Sequence, residues 1–412
     1  MYICIMLLQD MIRQIGISIL ILFFLVSGTL ITILYGMGYR FSLNGNSTFV
    51  AGTGLLVATS SPDGAKVLIN GHLTTATDNT INLAPGNYDV KIFKDGYFPW
   101  EKKITVQQEV VSKADALLFP NAPKLESITN IGISNPVRDP SETKIAFTVA
   151  SQSAQTNGIY IFDMTVRPIL TLQNASTQIE NDVSDSFSNA GLQWAPDSLN
   201  LLASVSNKTS STIYLLQTRG FNQNPQDVTE TIASVNASWD KLKADKTKSL
   251  MDSLPMKLRG VVTEDFNILE WSSDETKILY EASQSASIPL IINPRLIGTD
   301  STEETRDIKK GVVYVYDIKE DRNYQILDAL PVKDEANQPL SIMWYPDSKH
   351  LVYVHDGRID MMEYDGQNQT TVYAGPFEDH YVFPWPDATK LVILTNLGNP
   401  TIAPNLYTIS LQ

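Results

Sequence analysis

The residues able to do chemistry in this chain are few and scattered. Its histidines are His72, His350, His355 and His380. Only His350 and His355 stand close together. On one extended strand their odd separation sends them to opposite faces, which argues against a shared metal. His380, Asp379 and Asp347 could meet near a rim, but no ligand spacing joins them. The chain has no Gly-x-Ser-x-Gly elbow, no phosphate-binding loop, no His-Glu-x-x-His helix and no cysteine pair. The expectation is a protein that is not an enzyme, with no catalytic residue, cofactor or metal site. The rival expectation is a hydrolase or lyase acting on envelope polysaccharide. It requires carboxylates converging to within about 5–9 Å, as glycoside cleavage does.

The single cysteine, Cys4, precludes a disulfide within the chain, so packing alone must hold the domains. It reads as an inert thiol, because its neighbours supply no persuasive context for lipid attachment. A net charge of −14 argues against nucleic acid, which needs a basic face. Such acidity suits a protein kept soluble outside the cytoplasm. Tyr97, Phe98 and Trp100 form an aromatic knot and are the candidate partner-binding residues, able to stack on a sugar or a protein. The competing use of such residues is to fill a small core or a seam with the next domain.

Elements that could position these residues begin with Ile15–Tyr35, a run without charge that as a helix would span about 30 Å, one hydrocarbon thickness. The run is longer than the h-region of a cleaved signal peptide, about 7–15 residues. It reads as an uncleaved single-pass anchor. Arg13 and Arg40 nearly cancel as orientation signals. The acidic domains that follow place the bulk of the chain outside the cell membrane, with the N-terminus in the cytoplasm. With 412 residues, two or three domains are expected. They are a cytoplasmic stub and transmembrane anchor over 1–40, a linker over 41–53, a small β-module over 54–119 and a larger β-domain over 120–412.

In the small module, strands alternate with turns at Pro62-Asp63-Gly64, Asn70-Gly71, Pro85-Gly86 and Asp95-Gly96. Tyr88, Val90 and Ile92 face one way, against Asp89 and Lys91. The set Ser61-Pro-Asp-Gly-Ala-Lys-Val, Ile69-Asn-Gly, Leu83-Ala-Pro-Gly-Asn-Tyr-Asp-Val and Lys94-Asp-Gly-Tyr-Phe-Pro-Trp resembles the PEGA domain family, with Asp63 in place of the family's Glu. The resemblance implies an envelope β-sandwich with a carbohydrate- or protein-binding role and no catalytic residues.

Downstream, one phrase recurs: Trp194-Ala-Pro-Asp197, Trp271-Ser-Ser-Asp274, Trp344-Tyr-Pro-Asp347, with weaker copies at Arg138-Asp-Pro-Ser141 and Pro384-Trp385-Pro-Asp387. Four residues after the Asp position stands Ile or Leu, opening an apolar strand. Repetition at this period marks a β-propeller, and near-continuous apolar strands suit blades buried on both faces. The turn Asp can accept backbone N–H groups and fix the link between first and second strands. The phrase resembles the TolB-type propeller repeat, Trp-Ser-Pro-Asp-Gly leading to a Tyr-containing strand. Departures are Arg138 and Pro384 at the Trp position, Asp360 at the strand Tyr, and the loss of the turn Gly from every copy.

About five blades are expected, with a sixth left open in Arg167–Asn189 or Arg219–Asp265. Lys124–Thr129 is the expected supplier of the last blade's outer strand. With the last blade reaching Gln412, a hydrolase domain of the kind that follows some propellers is not expected. Ser238–Arg259 breaks the β rhythm as one inserted amphipathic helix, with Trp239, Leu242, Leu250, Leu254 and Leu258 on one face. Docking on the propeller flank is the expectation, against a role in touching partners or membrane. Ile288–Asp307 reads as a polar rim loop, a place where propellers bind things. The Asn-x-Ser/Thr sequons at Asn46, Asn174, Asn207, Asn236 and Asn368 read as chance in an Asn/Ser/Thr-rich chain. The protein expected is mainly β, a membrane-anchored envelope binding or scaffold protein with a protein or glycan partner.

Overall fold

The computed structural model describes residues 2–36, 40–44, 47–165, 176–207, 210–330 and 341–412, of which 2–12, 40–44 and 47–51 as backbone only. The sequons at Asn46 and Asn174, and the start of the stretch Arg167–Asn189, lie outside the described residues. The chain divides into two compact units. The first comprises Met1–Lys94, Pro99–Leu117 and Leu296–Thr302, and the second comprises Asp95–Phe98, Leu118–Arg295 and Glu303–Gln412.

The first unit opens with helix α1 (Tyr2–Gly36), within which Arg13–Gly36 is long and apolar enough to cross a membrane. Its Thr29 and Thr32 hydroxyls bond back to the carbonyls of Leu25 and Gly28, so neither leaves a polar group unpaired in the apolar run. The span expected as linker holds a hairpin, Arg40–Asn44 against Ser47–Ala51.

The module after it has two sheets. One pairs Gly54–Ser61 antiparallel with Asn79–Leu83 and parallel with Val111–Leu117. The other runs His72–Ala76, Lys66–Ile69, Gly86–Phe93, Trp100–Val106. Asn70 and Gly71 both adopt positive φ between paired strands, as the Asn-Gly signal requires. Leu56, Val67, Val90, Ile92, Trp100, Ile104 and Ala114 are buried from alternate positions.

The second unit is a propeller. Among its described residues are five four-stranded sheets, each running outward from an inner strand that ends in or beside the recurring phrase. Inner strands are Ser134–Arg138, Gly191–Trp194, Phe266–Trp271, Ile342–Trp344 and Val382–Pro384. Segments left open as a sixth blade become other parts of the five. Ser176–Asn181 and Gln226–Asp227 are outer strands of blades 1 and 2.

Blade 5 takes its outer strand from Leu125–Ser127, which pairs with Tyr407–Ile409 as expected. Asn405 Oδ1 accepts from Thr129 Oγ1 at 3.0 Å and from the Gly132 amide at 3.1 Å, fastening that junction.

The insertion after blade 2 is longer than the sequence suggests and is broken once. Helix α2 (Ile232–Ser253) ends at Leu254, whose extended ψ of 144° is what a following proline imposes, and α3 (Met256–Asp265) resumes after Pro255. Trp239 packs onto blade 2 beside Leu202 and Val228, while Leu254, Leu258 and Val262 pack onto blade 3. Leu242 departs from the expected buried face. It is exposed, as is every residue from Asp240 to Ser249.

The expected rim loop also differs. Its base closes as a short ladder, Ala286–Ser287 with Asp307–Ile308, and its tip, Leu296–Thr302, belongs to the first unit. There Asp300 pairs with Lys102 at 2.9 Å with both side chains nearly buried, and Ser301 Oγ accepts the Thr105 amide at 3.0 Å. Thr105 lies on an edge strand, so the tip supplies a hydrogen-bond acceptor to that edge.

Candidate functional site at the propeller axis

The five phrases build one end of the propeller, and their carboxylates hold its turns. Asp197 Oδ1 accepts the Leu199 amide, Asp274 Oδ1 the Thr276 amide and hydroxyl, Asp347 Oδ1 the Lys349 and His350 amides, and Asp387 Oδ1 the Thr389 amide and hydroxyl. Blade 1 lacks the turn Asp, and Asp139, three positions after Pro136, takes over by accepting the Thr143 and Lys144 amides.

The missing glycine has left its conformation behind. Glu142, Ser198, Glu275, Ser348 and Ala388, which occupy its position, have φ of +60°, +60°, +57°, +58° and +58°.

Two tryptophans join neighbouring blades. Trp194 Nε1 donates to the Val137 carbonyl of blade 1 at 2.9 Å, and Trp344 Nε1 to the Glu270 carbonyl of blade 3 at 3.3 Å. Trp385 instead meets Phe162 of blade 1 edge-on, with centroids 5.7 Å apart. Trp271 is half-buried beside the α3 side of blade 3.

Substitution of the first tryptophan by Arg138 creates the most unusual chemistry in the propeller. Arg138 Nη2 lies 3.4 Å from Glu142 Oε1 of its own blade and 3.7 Å from Glu270 Oε1 of blade 3. Blades 1 and 3 are not consecutive, so these inner-strand side chains meet across the axis. Glu270 Oε2 accepts the Trp344 amide at 2.7 Å, which brings in blade 4. Burial pushes the Glu270 carboxyl up, to about 7, against the pull of Arg138, and a hydrogen bond with Glu142 adds to the rise. Arg138 Nη1 is buried and has no hydrogen-bond partner among the described residues. The cluster can therefore exchange a proton near neutrality and has both Nη1 N–H groups of the guanidinium to spare.

The histidines are held apart. His350 Nδ1 lies 2.6 Å from Asp347 Oδ2, and its ring meets Phe119 edge-on. Although burial disfavours the imidazolium, Asp347 raises the His350 pKa overall. His355 lies between Asp356 at 3.2 Å and Asp360 at 3.0 Å, and stacks on Tyr353. Burial again opposes protonation there, and the two carboxylates again win. Asp360, the departure from the strand tyrosine, thus holds His355 and also accepts from Gln369 Nε2 at 2.7 Å. His72, His380 and Asp379 are exposed.

Of the aromatic knot, Trp100 is buried in the first unit. Tyr97 and Phe98 belong to the second, half-buried, where Tyr97 bridges to Pro120 and the Phe98 amide donates to the Phe119 carbonyl.

Sequence reasoning missed the axial cluster. Arg138 stood out as a departure, but nothing in the order of residues announces that Glu270, more than a hundred positions later, faces it.

Residues 53–120 match the model of the PEGA domain. No curated protein matches the chain. Among solved structures, the chain is similar to the putative TolB from Agrobacterium tumefaciens (14% identity, 66% of this chain and 70% of that one, TM-score 0.20). It is also similar to TolB from Acinetobacter baumannii (14% identity, 78% and 59%, TM-score 0.22). A third is the β-propeller domain of the Trilobed protease from Pyrococcus furiosus (13% identity, 87% and 95%, TM-score 0.21). The chain thus carries a PEGA domain, preceded by one apolar helix and followed by a β-propeller.

Proposed function

We propose that the chain is a membrane-anchored, extracytoplasmic binding or scaffold protein of the cell envelope, whose propeller presents a surface to a protein or glycan partner. The carrying observation is the order of parts: an apolar helix of spanning length, then the PEGA-matching residues, then a propeller. In this reading α1 is the tether and the two β-units are what it displays. Protease added to intact cells should cut the propeller. A propeller that survives until the cells are lysed overturns the reading.

The protein is read as a binder rather than an enzyme because its conspicuous polar residues serve its own framework. The turn carboxylates hold backbone amides, and His350 and His355 sit against carboxylates. A second reading, a propeller hydrolase or lyase acting on envelope polysaccharide, draws on Glu142 and Glu270, two carboxyls at the axis. Both carboxyls lie against the Arg138 guanidinium, and Glu270 also holds the Trp344 amide, so they are assigned to the framework. Release of reducing ends from envelope polysaccharide by the purified chain, abolished in Glu142→Gln, would favour this reading instead.

A further inference from the structure

The first unit has one end almost free of charge, and it is the end nearest the anchor. Three loops and strand starts build it. Gly54 pairs with Leu83, Leu55 runs parallel to Val111, and Gly86 pairs with Val106. The returning tip packs there too, since a Cβ on Gly298 would come within 2.8 Å of Val110 Cγ1. Across residues 83–87, 106–111 and 296–299 the sole ionisable side chain is Glu109, in a protein of net charge −14. The same end exposes Leu296 (47%), Ile297 (72%) and Val111 (46%). Water gains nothing from these side chains, whereas a lipid interface does.

Chain length ties this end to α1. The helix stops at Gly36, Arg40 pairs with Ala51, and the module begins at Gly54. At ~3.5 Å per residue for the short stretches on either side of the hairpin, plus ~5 Å between paired strands, Gly54 lies within about 30 Å of the end of the helix.

We propose that this uncharged end, with Leu296, Ile297 and Val111 at its surface, rests against the lipid head-group layer of the membrane that α1 crosses. The inference rests on the anchoring function proposed above. The second contact would hold the module upright on the bilayer instead of leaving it on a free tether. It also explains why a tip drawn from far along the chain is fastened by the Lys102–Asp300 pair and the Thr105–Ser301 bond.

The test uses the full chain in phosphatidylcholine vesicles, with Cys4→Ser as background. Single-cysteine variants Ile297→Cys, Asp63→Cys and Phe24→Cys carry an environment-sensitive fluorophore. Asp63 is exposed at the far end of Gly54–Ser61, about 25 Å from the proposed contact. Quenching by head-group-depth doxyl lipid should be several-fold stronger at Ile297→Cys than at Asp63→Cys, while lipid quenchers reach Phe24→Cys. If Phe24→Cys is quenched but Ile297→Cys no more than Asp63→Cys, the contact is refuted and the anchor stands. If Phe24→Cys is not quenched either, the anchor fails and the contact with it.

Discussion

Arg138 and Glu270 face each other 3.7 Å apart across the propeller axis, from inner strands of the first and third blades. The pair joins blades that share no seam, and its carboxyl partner carries a proton over much of the neutral range.

That proton gives the fold a pH dependence with a definite sign. Burial lifts the Glu270 carboxyl to about 7 in the folded chain, from an ordinary value of 4.5. The folded form keeps a proton that the unfolded form sheds. The associated stability is present below about pH 4.5 and is lost as pH rises through 7. With one fifth of the side chain still exposed, the loss is on the order of 2 kcal/mol. His350 and His355, also raised, lose stability in the same direction, so the difference from a variant is what isolates Glu270. Glu270→Gln should flatten this part of the profile. Urea midpoints at pH 5 and pH 8 that fall equally in both proteins would refute the assignment.

Ala388 sits at φ +58°, where a Cβ is crowded and glycine is at ease. Ala388→Gly should raise the stability of the propeller by about 0.5–1 kcal/mol, relief of strain outweighing the extra freedom of the unfolded chain. The midpoint of propeller unfolding in denaturant reads this directly. An unchanged or lower midpoint would mean the turn is not strained.

Trp344 is buried among Leu279, Val313 and Leu351 and also donates to the Glu270 carbonyl. Trp344→Phe loses that bond and leaves a void, and should cost about 2–3 kcal/mol. Leu242→Ala, on the exposed middle of α2, should stay within about 0.5 kcal/mol. Comparable losses in the two variants would show that α2 packs more closely than its exposure indicates.

Ser301→Ala removes the acceptor of the Thr105 amide. Hydrogen exchange at that amide should speed up by roughly tenfold, with the amides of Ile104 and Val106, opposite Tyr88 and Gly86, unchanged. The Lys102–Asp300 pair holds the tip independently. Burial alone would raise the Asp300 carboxyl, but Lys102 draws it below its ordinary value. That contribution is present above about pH 3.8 and is lost as pH falls through the lower, folded value.

Much of the architecture was legible because repetition and turn chemistry are local. The Trp-x-Pro-Asp phrases set the blade pattern, Asn70-Gly71 set a hairpin, and Lys124–Thr129 was the free strand a final blade lacked. Outer strands such as Gln226–Asp227 were not legible, since two residues carry no periodicity. Pro255 could have divided the helix in advance, because the residue before a proline avoids the α region. The tip Leu296–Thr302 and the Arg138–Glu270 contact arise from long-range packing, which leaves no mark in neighbouring residues. Leu242 was misplaced because a helical stripe says which residues share a side, not whether anything lies beneath it.

The pairing of Leu125–Ser127 with Tyr407–Ile409 also dictates an order of events. Glu126 and Thr408, bonded across this junction, stand 282 residues apart. During synthesis the earlier strand must wait, its edge unpaired, while four blades form and Tyr407–Ile409 emerges. Until then it is open to neighbouring chains, and the ring closes only once a strand made 282 residues later reaches it.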